Sequence, residues 1–87
     1  MFDEFEDEFL KFERVVEKFS QRSDLHAFIL LDKLFPGELC MVSGADHDEI
    51  YLEPSPEELL KVASKDQLRD LHRCGVTENE YGLVMFV

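Results

Sequence analysis

Asp46, His47, Asp48 and Glu49 are the densest group of metal-ligating and proton-transferring side chains in this 87-residue chain. A calcium loop would need twelve residues with Gly at the sixth position and a closing Glu, and "GADHDE" lacks that pattern. Consecutive residues of extended chain also point to opposite sides, so the four cannot converge on one ion. The stretch therefore reads as an exposed polar connection. His72 and Cys74 in "LHRC" are two positions apart on a helix and so lie on different faces. A zinc site would require His47 or Cys40 to arrive from elsewhere. A Cys–His nucleophile meets the same geometric obstacle and has no oxyanion-loop signal beside it. His26 lies in an apolar run and reads as a hydrogen-bonded structural ring. The four glycines are scattered singly, so none builds a phosphate cradle. The expectation is a protein that is not an enzyme and needs no metal and no cofactor.

The other chemistry in the sequence is charge. The formal net charge is −11, which opposes unaided binding to nucleic acid or to an anionic membrane and favours a basic partner. The excess is localised: residues 1–24 carry −4, residues 32–58 carry −7, and residues 61–87 are neutral. Asp3, Glu4, Glu6, Asp7 and Glu8 precede the first cation, Lys11. A helix dipole is served by one or two acids in the first turn, so five exceed that need. These five, with Asp46, Asp48, Glu49 and Glu53, are the candidate partner-binding residues. The rival surface is Lys61, Lys65, Arg69 and Arg73, an i,i+4 series that could face a phosphate. Glu57, Asp66 and Asp70 stand within three or four positions of its members, so it reads as a charge-paired solvated face.

The elements that must carry these residues follow from periodicity. Phe2, Phe5, Phe9, Phe12, Val16 and Phe19 alternate by three and four, and Val15 widens the stripe, which predicts an amphipathic opening helix with a phenylalanine seam turned to the core. Leu25 to Leu31 is apolar on both faces and reads as a strand inside a sheet. "FPGE" suits a type II turn, "LCMVS" a second strand and "IYLEP" a third, stopped by Pro54. Ser55 with Glu58 and Ser64 with Gln67 are two capping boxes, opening helices over Pro56–Ala63 and Lys65–Cys74, the second ended by Gly75. "YGLVMFV" reads as a buried final strand. The predicted fold is one α+β domain over residues 1–87, in the order α-β-β-β-α-α-β, with helices on a four-stranded, mostly antiparallel sheet.

No apolar run approaches the roughly 20 residues of a membrane span, and the N-terminus is acidic where a secretory signal is basic. Cys40 and Cys74 read as two buried free thiols, so the expected location is cytoplasmic. Together these features predict a binding protein that occupies a basic, nucleic-acid-binding surface of another protein. Phage-encoded inhibitors of host defence (anti-CRISPR or anti-restriction type) or of transcription share this size and charge, as do immunity proteins that neutralise nuclease toxins. That is a likeness of class and not of motif. The alternative is a homo-oligomeric interaction module, which a homodimer would satisfy by burying surplus apolar surface.

Overall fold

The two capping boxes begin the helices they were expected to begin. In this computed structural model, which describes residues 2–37 and 40–86, the Ser55 hydroxyl accepts from Glu58 N–H at 3.1 Å. The Ser64 hydroxyl accepts from Gln67 N–H at 3.2 Å. Each third-position side chain also reaches back to its cap's backbone N–H, so donors with no intrahelical partner are satisfied reciprocally. The first box opens a helix over Pro56–Val62 and the second a helix over Lys65–Arg73. Gly75, with φ +100°, follows the second helix where the chain must turn. Its conformation and a close approach both require glycine, because a Cβ there would stand 2.9 Å from Leu10 Cδ2 and from Phe86 O.

The chain runs through two short 3-10 segments, Asp3–Glu8 and Phe12–Arg14, and then α1 (Ser23–Leu34), β1 (Val42–Ala45), β2 (Glu49–Leu52), α2 (Pro56–Val62), α3 (Lys65–Arg73), β3 (Val76–Asn79) and β4 (Gly82–Phe86). The four strands form one antiparallel sheet in the order β1-β2-β4-β3. The α+β class and the four-stranded sheet are as expected; two of the elements differ.

Leu25–Leu31 is helical. His26, Ala27, Leu30 and Leu31 are buried at helical spacing, while Leu25 and Ile29 stay exposed. Partial exposure on the outer side of α1 produced the two-sided apolar pattern that resembles a central strand. Leu, Ala, Asp and Lys in place of a β-branched run are compatible with the helix. The strand lost there is recovered at "VTEN", which becomes β3 because Val76 pairs with Met85 and Thr77 with Val84. "GADHDE" supplies the end of β1, the turn and the first residue of β2, with Asp46 N–H bonded to Glu49 O at 2.8 Å. The fourth position of the "FPGE" turn and Leu39 of "LCMVS" lie outside the described residues.

The opening phenylalanine helix is replaced by an irregular strap. Like charges at i,i+4, Asp3 with Asp7 and Glu4 with Glu8, disfavour an α-helix, and phenylalanine is a modest helix former. The first segment kinks at Phe5, and Leu10 adopts φ +62°. Leu10 N–H then bonds to His72 O at 3.2 Å, pinning the strap to the end of α3. Phe2 is buried, and Phe5 and Phe12 are partly buried against the core, but Val16 is 90% exposed and Val15 takes the interior place at 3%.

One core joins the layers. Leu30 and Leu31 of α1, Leu59 of α2 and Leu68 and Leu71 of α3 meet Leu52, Val76, Leu83 and Met85 on the inner face of the sheet. Among the described residues, no helix is long and apolar enough to cross a membrane.

Candidate functional site

The first acidic group does not act as one set. Asp3, Glu6 and Asp7 are exposed, and Glu4 makes a loose 3.7 Å contact with Lys65. Glu8 has turned inward. Its carboxylate accepts from Arg14 Nη1 at 2.8 Å and from Arg73 Nε. The Arg73 bond, with Arg14 assisting, holds the Glu8 carboxyl below the usual carboxylate range. Glu8 is thus a structural residue, and Arg73 is its counterpart: its guanidinium also donates to Arg14 O at 3.0 Å and to Asp70 at 3.3 Å.

The second group is divided by the length of β2. Asp46 and Asp48 occupy the β1–β2 turn, where Asp46 Oδ1 accepts from His47 N–H at 2.8 Å, and Glu49 begins the strand. Glu53 follows the strand's other end, about 13 Å away at ~3.3 Å per residue. There it meets three acids that the charge map did not single out. Glu53, Glu57, Glu78 and Glu80 line one cleft of about 440 Å³ together with Tyr81. Asp3 and Glu6 line a neighbouring cleft with Thr77. Thr77 and Glu78 are consecutive on the edge strand β3, so both clefts border that strand. Glu78 and Glu80 escaped notice in the sequence because they share a neutral window with the cations of α2 and α3. A finer window, or alternation within "VTENE", held the signal.

The cations are mostly occupied. Arg14, Arg22, Lys65, Arg69 and Arg73 each pair with a carboxylate. Lys18 and Lys33 lie over the rings of Phe12 and Phe19 at 5.1 Å. Among the described residues, Asp46, Asp48, Glu49 and Glu53 have no ion-pair partner.

The other chemical candidates are separated by the fold. His72 is buried, its Nδ1 2.8 Å from Val76 O, with its ring stacked on Phe2 and tilted against Phe9 at 4.9 Å each. Cys74 is buried, and burial, with the Asp70 carboxylate adding, pushes its thiol up to about 12. Cys40, expected inside, is exposed. Among the described residues, no group of three or more His, Cys, Asp or Glu side chains is arranged to hold a metal ion. Among known proteins, no family model, no curated protein and no solved structure matches the chain.

Proposed function

We propose that this chain is a non-enzymatic binding protein whose carboxylates occupy a basic surface on another protein. The observation that carries the reading is the imbalance of internal pairing: the fold consumes most of its cations and leaves acids at both ends of β2 facing solvent. Carboxylates fixed on a sheet edge and a tight turn can imitate the sign and spacing of phosphates, and such fields speed encounter by about 10–10³. The partner is then a protein that ordinarily holds nucleic acid, met in the cytoplasm. Phage-encoded inhibitors of host defence work on partners of this kind. The contact set is Asp3, Glu6, Asp7, Glu53, Glu57 and Glu80, with Asp46, Asp48 and Glu49 as the turn group.

A second reading, self-association, is favoured by Leu25 and Ile29, which are exposed one turn apart on α1. One pair of measurements separates the two. Mass in dilute solution should be that of a monomer, and capture from lysate at low salt should recover basic proteins that an added oligonucleotide displaces. A stable dimer that captures no nucleic-acid-binding protein would sink the first reading in favour of the second.

A further inference from the structure

His26 of α1 is 1% exposed and has one side-chain hydrogen bond, in which Phe19 N–H donates to Nδ1 at 3.1 Å. A ring nitrogen that accepts carries no hydrogen, so the imidazole proton is on Nε2. Nε2 is buried without a hydrogen-bond partner. Phe19 stacks on the ring at 5.0 Å, inclined 21°, and Phe12 approaches it at 5.6 Å. Among the described residues, the Phe19–His26 bond is the one hydrogen bond joining residues 15–19 to the body of the protein. Upstream, the strap is fastened independently through Arg73 to Arg14 O and Glu8.

We propose that His26 is an acid-sensitive latch, holding residues 15–19 on α1 while neutral and releasing them when protonated. A proton taken from solvent at Nδ1 converts the acceptor into a donor that confronts Phe19 N–H. The buried ring then carries a charge with no anion bonded to it. Two charged groups act on it: Lys18, on the strap itself, opposes protonation, and Asp70, on α3, favours it while also paired with Arg73. Burial dominates and holds His26 below the ordinary 6.5. A depressed value in the docked state means that the latch contributes fully above pH 6.5 and loses its contribution as pH falls through the docked value. Glu8 is held below its own ordinary range, so the Arg73 fastening stays ionised in that window. Release is therefore confined to the His26 end, and it turns Val15 out of its buried position and lifts the half-exposed Phe19 off the His26 ring.

The inference is independent of what the acidic surface binds. The test is NMR on the full chain from pH 7.5 to 5.0 at constant ionic strength, following histidine ring carbons and amide protection factors. His26 is expected to titrate below 6.5, with the Phe19 protection factor falling by up to about tenfold per pH unit at the same midpoint. The amides of Val84 and Met85 should stay protected throughout. In His26→Gln, whose side-chain oxygen can accept from Phe19 N–H but does not titrate, the Phe19 protection factor should be flat. The latch is overturned if wild-type Phe19 is unaffected, if Val84 and Met85 lose protection with it, or if the Gln variant shows the same loss. Should that variant fail to fold, the wild type decides alone: a Phe19 midpoint that follows His47 or His72 in place of His26 rejects the proposal.

Discussion

Glu8 and Arg73, 65 positions apart, meet at 2.5 Å and lock the N-terminal strap to the last turn of α3. The bond separates one acid from four neighbours of the same charge. Glu8→Gln should lower the melting temperature by more than Asp3→Asn or Asp7→Asn, each of which should alter stability by no more than about 0.5 kcal/mol. The pH dependence follows the same bond. Because the folded-state value of Glu8 is depressed, its contribution is present above the ordinary 4.5 and is lost as pH falls through the folded value. Thermal melts of wild type and Glu8→Gln should therefore converge in strong acid. Equal losses across all three variants would show that the ion pair does not hold the strap.

Val15 and Val16 provide a sharper test of the strap itself. A continuous amphipathic helix would bury Val16 in the seam with Val15 beside it, but here Val15 is interior and Val16 is exposed. Val15→Asp should cost about 3 kcal/mol or more, a large share of the total for a domain of this size, whereas Val16→Asp should stay within about 0.5 kcal/mol. Both add one negative charge, so general repulsion cancels in the comparison. Comparable losses in the denaturation midpoint at both positions would restore the opening helix.

What was legible in the sequence was what local chemistry decides. Ser55–Glu58 and Ser64–Gln67 satisfy their own backbone donors, so α2 and α3 could be placed to within a residue. "GLVMF" is apolar enough to be a central strand in any context. Where long-range contacts decide, the pattern misled. Leu25–Leu31 is apolar all round because α1 keeps Leu25 and Ile29 outside, and β3 is too polar to announce itself without Leu83 and Met85 beside it. The phenylalanine run has helical spacing, but like charges four apart, Asp3 with Asp7 and Glu4 with Glu8, oppose the helix, and His72 and Arg73 supply its partners from the far end of the chain. The acidic positions were legible by charge, although the inward turn of Glu8 and the addition of Glu78 and Glu80 depended on the tertiary fold.

The two cysteines should differ in reactivity. At pH 8 a thiol raised to about 12 is thiolate at only about one part in ten thousand, and Cys74 is also buried. Mass spectrometry after brief alkylation should show one adduct, on Cys40, with Cys74 reacting only in denaturant. Rapid double labelling would mean that the core around Leu71 and Val76 opens on the timescale of the reaction.

Neutralising the acids in separate groups tests which surface a basic partner reads. Three multiple variants divide the candidates by position: Asp3, Glu6 and Asp7 on the strap, Asp46 and Asp48 in the β1–β2 turn, and Glu53, Glu57 and Glu80 around the cleft beside β3. Glu8 is left intact because its removal would loosen the fold, and Arg73 is unsuitable as a basic control for the same reason. Each exposed charge should affect stability by no more than about 0.5 kcal/mol, so all three should fold. Against the basic protein recovered by capture, the strap and cleft variants should slow association, since both sets flank β3. The turn variant should matter less, because the length of β2 separates it from that margin. The loss should come through the on-rate and shrink as salt rises, with the screening length falling from about 10 Å at 0.1 M to about 3 Å at 1 M. Lys11→Gln and Lys61→Gln, at cations outside the ion pairs described, are the controls and should leave binding unchanged or slightly faster. If the controls abolish binding while all three acidic variants are silent, a basic face does the binding and the sign of the proposed partner must be reversed.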